Sequence, residues 1–305
     1  MERISFRFSI KLVLVCFLCS FTVHAQNVNS VLFNPDSLKL ISFQFKFTEG
    51  ASVDKKGNVF FTDQPNNTIW KYSVDGKLTL FTDKAGRANG TYFDKKGNLL
   101  ACADENFQIL SFDKNAISTS IYKNPKENDL NGPNDLWIDK KGGIYFTDPY
   151  YQRNYWIRKA PLIVGEKVYY LPRKTAKEST IKIVEDSLQR PNGIVGTPDG
   201  KLLYVADAKG GKTYQYTIQP DGTLKNRILL INQGSDGMTL DEQGNIYLTG
   251  NGVTIFNKAG IQIAHINVST ARTSNLCFGG KRRNILFITA GNSIYTLPML
   301  VKGVE

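Results

Sequence analysis

Short apolar runs, each introduced by a polar turn, recur along almost the whole chain. The turn has a glycine at its fourth position, and the run that follows is rich in β-branched and aromatic residues and closes in Thr, Ala, Asp or Gly. This pattern predicts two strands joined by a tight turn. The clear copies are DKKGNVFFTD (54–63), DKKGNLLACAD (94–104), DKKGGIYFTD (139–148), TPDGKLLYVAD (197–207) and DEQGNIYLTG (241–250), and a degenerate sixth is GGKRRNILFITAG (279–291).

The spacing of the copies predicts the architecture. They begin about 39 to 58 residues apart, which is typical of propeller blades. Each hairpin is followed by further strand candidates, such as TIWKYSV, QILSFD and KTYQYTI, and no long stretch has helical periodicity. We therefore predict an all-β fold, a six-bladed β-propeller with four-stranded blades around a central channel, formed by residues 26–305. A β-sandwich would not explain repeats of this length.

A polar residue occupies the same position in every repeat, about five residues before the turn. In a propeller this position lies at or just before the innermost strand of each blade, so the six side chains should point into one mouth of the channel. The alternative is turn chemistry, because Asn-Gly and Asp-Gly are common turn dipeptides. Glutamate has no such preference. The six residues are Glu49, Asn89, Asn134, Asn192, Asp236 and, by approximate alignment, Asn275.

Such a ring offers only oxygen ligands. Carboxylates from Glu49 and Asp236 with several amide oxygens suit a hard divalent cation, with Ca²⁺ preferred and Mg²⁺, Mn²⁺ or Zn²⁺ as alternatives. A cation with open coordination positions can polarise a carbonyl and stabilise an oxyanion. A purely structural ion that plugs the channel is the other interpretation.

A long connection after the third copy, Pro149 to about Glu166, is rich in tyrosine, tryptophan and arginine. Since the second strand of a blade runs back toward the face where the first began, this connection should lie at the channel mouth. Arg153 and Trp156 are therefore predicted to contact substrate. An ordinary decorated loop is the alternative.

The first 25 residues have the features of a signal peptide. Three basic residues precede the twelve-residue apolar stretch 12–23, which is too short to span a bilayer, and Val23-His24-Ala25 is a small-x-small cleavage site. We predict export to a periplasm or to the outside, with no membrane association after cleavage. A retained anchor is the alternative.

Composition narrows the chemistry. The formal net charge is +11, but lysines are scattered among turns and there is no basic-aromatic platform, so nucleic-acid binding is not supported. Without the signal peptide, two cysteines remain, Cys102 and Cys277, in apolar strands where buried thiols are expected. His265 is then the only histidine. A Ser-His-Asp triad or a multi-histidine zinc site would depend on this one strand residue.

The chain resembles the gluconolactonase, senescence-marker-protein and luciferin-regenerating-enzyme family. The resemblance rests on FTEGASVDKKGNVFFTD, RANGTYFDKKGN, NGPNDLWIDKKGGIYFTDPYY, RPNGIVGTPDGKLLYVAD, SDGMTLDEQGNIYL and NLCFGGKRRNILFITA, in order across about residues 47–290. It implies a six-bladed propeller with a divalent metal in its channel and, in many members, hydrolysis of sugar lactones. The residues that the resemblance implies are the metal ligands Glu49, Asn134, Asn192 and Asp236 and the substrate contacts Arg87 and Asn89.

The chain departs from the family pattern at Ala103-Asp104-Glu105-Asn106, where many bacterial members have a histidine followed by arginines. The sequence therefore predicts a metal-dependent hydrolase that opens a sugar lactone, with Asp236 as metal ligand and general base, and leaves the particular lactone and the oligomeric state open. The alternatives are a broader esterase or arylesterase of the same fold and a non-catalytic propeller that binds glycan or protein.

Overall fold

We describe the fold from a computed structural model covering residues 1–2, 32–123, 130–173, 180–268 and 272–304. Residues 3–25 of the predicted signal peptide lie outside this part, so its prediction stays untested. Within the described residues, no helix has the length and apolar character needed to cross a bilayer. Two short 3₁₀ helices are present, at Pro35–Ser37 and Gln64–Asn66.

Six four-stranded antiparallel sheets form the blades, which confirms the predicted six-bladed propeller. Strand β1 is Lys39–Ser42. Blade one contains β2 (Thr48–Val53), β3 (Val59–Asp63), β4 (Thr68–Tyr72) and β5 (Leu78–Thr82). Blade two contains β6 (Ala88–Phe93), β7 (Leu99–Ala103), β8 (Gln108–Phe112) and β9 (Ser118–Lys123). Blade three contains β10 (Leu136–Ile138), β11 (Ile144–Asp148), β12 (Lys167–Leu171) and β13 (Lys182–Glu185).

The remaining blades follow the same order. Blade four contains β14 (Pro191–Gly196), β15 (Leu202–Asp207), β16 (Lys212–Ile218) and β17 (Leu224–Ile231). Blade five contains β18 (Met238–Leu240), β19 (Ile246–Gly250), β20 (Gly252–Phe256) and β21 (Gln262–Ile266). Blade six contains β22 (Thr273–Gly279), β23 (Ile285–Ala290) and β24 (Ser293–Pro298).

The fourth strand of blade six comes from the other end of the domain. Strand β1 pairs antiparallel with β24, at Lys39↔Thr296 and Leu40↔Tyr295. The ring is thus closed by hydrogen bonds between the first and last strands. Such closure joins the N-terminal strand to the C-terminal blade.

The innermost strands approach one another closely, which explains the glycines beside the polar ring. A Cβ atom on Gly90 would lie 2.6 Å from the carbonyl oxygen of Asn134, and one on Gly193 would lie 2.7 Å from that of Asp236. These Asn-Gly pairs belong to strands β6 and β14, so they are not turns. The glycines are required because the neighbouring backbone leaves no room for a side chain.

The turns at the opposite end of the hairpins have their own device. In blade one, Asp54 Oδ1 accepts hydrogen bonds from the backbone N–H groups of Lys56 and Asn58, both at 2.9 Å. Gly57 has φ +92°, which glycine adopts without strain. The two cysteines, Cys102 and Cys277, are buried and free, as expected from their strand context.

Candidate active site

Two carboxyl groups from blades one and five, which are separated by blade six, meet in the channel. Glu49 lies in β2 of blade one and is 3% exposed, and Asp236 lies two residues before β18 of blade five. Burial and then the charge of Asp236 raise the pKa of Glu49 well above its usual value. Burial raises the pKa of Asp236 to about 6, against a hydrogen bond from Asn192 and the charges of Arg272 and Arg153, and the two carboxyls also share a hydrogen bond.

This proximity has a chemical consequence. Two neighbouring carboxylates repel one another when both are ionised, and burial adds to the cost. A cation placed between them removes both penalties. The pair is therefore arranged to take up positive charge.

Two asparagines complete this part of the channel. Asn192, buried in β14, donates from its amide nitrogen to Asp236 Oδ1 at 2.6 Å and to Tyr151 Oη at 3.1 Å. Asn134, also buried, is held through its backbone, since its N–H donates to the Thr147 carbonyl at 2.9 Å and its carbonyl accepts from Gly90 at 2.7 Å. Its side-chain oxygen is buried without a hydrogen-bond partner.

An unpartnered buried oxygen is costly, and a bound cation would satisfy it. The donor set of Glu49, Asp236, Asn134 and Asn192 consists of hard oxygen ligands, which fits Ca²⁺ or a similar divalent ion. No group of three or more His, Cys, Asp or Glu side chains able to hold a metal occurs among the described residues. The residues present thus fit a hard cation that two carboxylates and amide oxygens would hold.

The two predicted substrate contacts of blade two sit at the start of β6. Asn89 is buried in the channel wall. Arg87 has φ +54°, an uncommon conformation for a residue with a side chain, and its N–H donates to Asn67 Oδ1 at 2.7 Å. Its guanidinium lies over the Tyr155 ring at 4.4 Å and donates to the Pro65 carbonyl at 2.7 Å. Fixed strain of this kind is often found at binding sites.

The long connection of blade three, residues 149–166, is fastened to blade two through one carboxylate. Asp104 accepts from Arg153 Nε at 2.7 Å and from Tyr155 Oη at 2.5 Å. The Trp156 indole donates to the Asp104 carbonyl oxygen at 2.8 Å. Burial raises the pKa of Asp104, and the charge of Arg153 opposes that rise.

The structure separates the two predicted contacts of this loop. Arg153 is partly exposed, and its charge acts on both Glu49 and Asp236. Trp156 is 5% exposed and packs on Phe107, with ring centroids 5.2 Å apart. Because its side chain is buried under the rest of the loop, Trp156 is suited to holding the loop in place. Arg153 is the side chain of this pair that faces the site.

The sequence interpretation did not single out Asp104 or Tyr151. Asp104 was noted only as part of a departure from the family pattern, although an aspartate at the end of a second strand recurs in several repeats. Tyr151 belongs to the loop and connects it to the ring, because its hydroxyl accepts a hydrogen bond from Asn192. Burial raises the pKa of Tyr151 to about 12, so its hydroxyl stays protonated at neutral pH and can donate.

A cavity of about 670 Å³ opens beside these groups. Lys46, Arg87 and Arg153 contribute cationic side chains to its lining, and Gln64 and Gln152 contribute amides. Gln64 links blades one and two, donating to the Arg87 carbonyl at 3.2 Å and to Asp104 Oδ2 at 3.0 Å. The lining is therefore polar and suited to oxygen-rich ligands.

Known proteins share both sequence and fold with the chain. It is 27% identical to the gluconolactonase of Zymomonas mobilis subsp. mobilis, over 90% of this chain and 84% of that protein. The solved structure of a gluconolactonase from Xanthomonas campestris superposes with a TM-score of 0.78 and 25% identity, covering 86% of this chain and 89% of the other. Regucalcin of Agrobacterium tumefaciens, a calcium-binding protein, shares the fold with a TM-score of 0.72 and 16% identity, over 87% and 94% of the two chains.

A family model supports the same grouping over a defined range. The model described as the SMP-30/gluconolactonase/LRE-like region matches residues 47–292, from just before β2 to the end of blade six's second hairpin turn. More than half of the chain lies within the match, which includes all the residues of the channel site. The chain belongs to the SMP-30/gluconolactonase/LRE-like family.

Proposed function

We propose that the protein is an exported lactonase that depends on a divalent cation and opens a sugar lactone. The observation that carries the proposal is the hydrogen-bonded pair Glu49–Asp236, together with the buried, unpartnered side-chain oxygen of Asn134 at the same position of its own repeat. Membership of a family with gluconolactonase relatives supports lactone hydrolysis. Export rests on the sequence features of residues 1–25.

In this proposal Glu49, Asn134, Asn192 and Asp236 hold the cation. When bound, the cation supplies positive charge against the lactone carbonyl, which favours negative charge on its oxygen in the transition state. Ca²⁺ is the preferred ion from the oxygen donor set, and Mg²⁺, Mn²⁺ or Zn²⁺ are the alternatives.

Asp236 is proposed as the general base. In the cation-free protein the pKa of Asp236 is about 6, so its carboxyl is largely ionised at pH 7 and can accept a proton from water. The water oxygen forms a bond to the carbonyl carbon, the ring carbon–oxygen bond breaks, and the proton ends on the departing alkoxide. The product is the open hydroxy acid.

Arg87, Asn89 and Arg153 are proposed to orient the substrate. Arg87 and Arg153 line the cavity, and Asn89 lies in β6, two residues after Arg87, which directly precedes that strand. Guanidinium and amide groups donate hydrogen bonds to hydroxyl oxygens. For Trp156, which the sequence predicts to contact substrate, we propose instead the role of holding the loop that carries Arg153, because its side chain is only 5% exposed.

The polar cavity bears on the rival activities. A broad arylesterase would need an extended apolar surface for an aromatic ring, whereas six of the eight residues lining this cavity are lysine, arginine or amide residues and only Pro65 and Tyr155 are not. A polyhydroxylated lactone is the better match. A non-catalytic propeller would need a cation with no open coordination position.

A panel assay on metal-stripped and reloaded protein tests the proposal. Mature protein is stripped with a chelator, checked for metal content, reloaded with Ca²⁺, Mg²⁺, Mn²⁺ or Zn²⁺, and assayed on sugar lactones and on phenyl acetate. We expect hydrolysis of at least one sugar lactone to disappear on stripping and return on reloading. Full activity of verified metal-free protein would remove the cation from the proposal, and metal-loaded protein inert on every ester would favour the binding module.

A further inference from the structure

The cavity beside the carboxylate pair carries more positive charge than a neutral sugar requires. Its lining includes Lys46, Arg87 and Arg153 and no carboxylate side chain. Asp104, immediately behind the lining, forms an ion pair with Arg153 at 2.7 Å, and its charge also acts on Arg87. One carboxylate thus balances three cations, and Arg87 and Lys46 remain without an ion pair among the described residues.

The two remaining cations differ in their restraint. Arg87 is held over Tyr155 and by the Pro65 carbonyl, yet its Nε is buried without a hydrogen-bond partner. Lys46 is exposed, and its ammonium forms no ion pair or hydrogen bond with any residue in the described ranges. A buried donor without an acceptor is costly, so a ligand that supplies oxygen atoms here would be bound favourably.

The cavity is next to the proposed reaction centre. Arg153 lines the cavity, and its charge also lowers the pKa of both Glu49 and Asp236. One side chain thus reaches both regions. A ligand whose reacting carbonyl lies at the carboxylate pair can extend its far end into the cavity.

Asp104 fixes the geometry of this region. It receives hydrogen bonds from Gln64 of blade one and from Arg153 and Tyr155 of the blade-three loop. The Arg153 guanidinium is consequently oriented before any ligand arrives. Preorganised guanidinium groups bind carboxylate and phosphate groups especially well, because their N–H donors match the spacing of the oxygen atoms.

We propose that the cavity is a subsite for an anionic substituent, and that the preferred substrates are sugar lactones with a carboxylate or phosphate group at the end remote from the lactone carbonyl. Lys46, Arg87 and Arg153 bind the anion, and Asp104 is a positioning residue for Arg153. This inference rests on the proposed lactonase function and adds the substrate class to it.

Matched lactones separate the anion from the rest of the sugar. Glucono-1,5-lactone is compared with its 6-phosphate, and glucono-1,4-lactone with glucaro-1,4-lactone, in which C6 is a carboxylate. We expect kcat/KM of at least one anionic member to exceed that of its neutral partner by about tenfold or more, the equivalent of one well-placed charged hydrogen bond. The pair with the larger ratio tells phosphate from carboxylate. Equal values within both pairs would overturn the subsite.

Charge variants locate the effect. Lys46→Gln should reduce the anionic-to-neutral ratio by about three- to tenfold, since one partly exposed charge is lost. The matched control is Lys77→Gln, which makes the same charge change in the exposed turn between β4 and β5. A ratio that falls equally in both variants would indicate only the overall charge and would contradict the subsite.

The orientation by Asp104 has its own readout. Asp104→Asn keeps the size of the side chain but removes the charge that pairs with Arg153. We expect KM for the anionic lactone to rise more than KM for its neutral partner. A uniform loss of activity on both would show a structural role alone.

Product binding keeps the two proposals distinguishable. Calorimetric titration with gluconate and 6-phosphogluconate measures the subsite without turnover. Tighter binding of the phosphorylated acid, with no lactone hydrolysed, would support the subsite while rejecting the lactonase. Hydrolysis of neutral lactones with equal binding of both acids would support the lactonase and reject the subsite.

Discussion

Two sets of carboxylates are largely removed from solvent: those at the ends of the second strands and the two in the channel. The two sets differ in the groups that neutralise their negative charge. Asp63 accepts from the backbone N–H groups of Lys46 and Phe47, at 3.2 and 3.1 Å, and Asp207 accepts from those of Gln189 and Arg190, at 3.0 and 2.9 Å. These bonds fasten the segment that leads into each blade's first strand.

The channel pair has much less support of this kind. Glu49 accepts one backbone hydrogen bond, from Gly50 at 3.2 Å, and its nearest charged partner is the like-charged Asp236. The comparison teaches that burial of a carboxylate does not by itself mark a site. A carboxylate satisfied by backbone N–H groups stabilises the fold. Two carboxylates that lie next to each other with few such donors are a candidate site for binding a cation.

Asp104 stands between the two sets. It occupies the same place in its repeat as Asp63 and Asp207, yet it accepts from side chains of blades one and three. Asp148 of blade three also accepts from two backbone N–H groups, those of Asn131 and Gly132, both at 2.7 Å. One position in the repeat thus fastens the backbone in three blades and organises the mouth of the channel in a fourth.

The largest effect is expected from removing the proposed base. Asp236→Asn keeps the shape and one oxygen, and we expect lactone hydrolysis to fall by roughly 10²–10⁴-fold, the usual range for a general acid–base group. Steady-state rates with metal content measured alongside check this. His265→Ala is the control, because His265 is exposed in β21, the fourth strand of its blade, away from the channel carboxylates, and its Nδ1 lies 3.3 Å from Thr254 Oγ1. An active Asp236→Asn together with an inactive, folded His265→Ala would reverse the assignment.

The next effect concerns pH and the cation. Binding requires ionised carboxylates, and the pKa of Asp236 in the metal-free protein is about 6. Cation affinity should therefore rise with pH through about 6 and level off only when Glu49, whose pKa is raised well above its usual value, has also ionised; below that range it should fall by up to about tenfold per pH unit for each carboxyl that protonates. Titration calorimetry between pH 5 and 8 measures this. Affinity that is constant over that range would mean that neither carboxylate is a ligand.

The two sets of carboxylates should respond oppositely in stability. Asp207→Asn removes the acceptor of backbone N–H groups and should destabilise the protein by about 1–3 kcal/mol. Asp236→Asn should stabilise the metal-free protein at pH 7, because the raised pKa means that ionisation of Asp236 opposes folding as pH rises from about 4 through 6. Thermal unfolding of both variants without metal tests the signs. If both variants shift the midpoint of thermal unfolding in the same direction, the two sets of carboxylates do not differ in this way.

The smallest effect is expected from removing the hydrogen bond by which Trp156 holds the blade-three loop. Trp156→Phe keeps an aromatic ring against Phe107 but loses the hydrogen bond to the Asp104 carbonyl, worth about 1 kcal/mol. We expect a few-fold rise in KM with unchanged metal content, since the loop that carries Arg153 becomes less well held. An unchanged KM for every lactone would show that this bond does not position the loop.

Much of the fold could be predicted because each copy of the repeat carries the sequence signals of a β-hairpin. Turn glycines and apolar runs define strands β2 and β3, and the same pair recurs in each blade. The closing strand β1 was not predicted, since KLIS is short and has no turn motif to mark it. Its place depends on pairing with β24, more than 250 residues away in the chain, which local pattern does not reveal.

The position of the candidate site residues within each repeat could be predicted from the sequence. The side-chain contacts of the site could be predicted less well. The ring position was readable because Glu49 and Asp236 fall at the same offset in their repeats. The burial of Trp156 and the ion pair of Asp104 with Arg153 could not be read, because they depend on how a long connection folds over a neighbouring blade. An aromatic residue in such a connection has no periodicity that shows which way it faces.

The most direct test of the central claim is the number of divalent ions bound by the channel pair. Metal-stripped wild type, Glu49→Gln and Glu105→Gln are titrated with Ca²⁺ by calorimetry, and Glu105, exposed after β7, supplies the matched loss of charge. We predict about one ion per chain in wild type and in Glu105→Gln, and a sharply weakened affinity in Glu49→Gln, since a hard-cation site loses both a ligand and a charge. Full occupancy with unchanged affinity in Glu49→Gln would contradict the account.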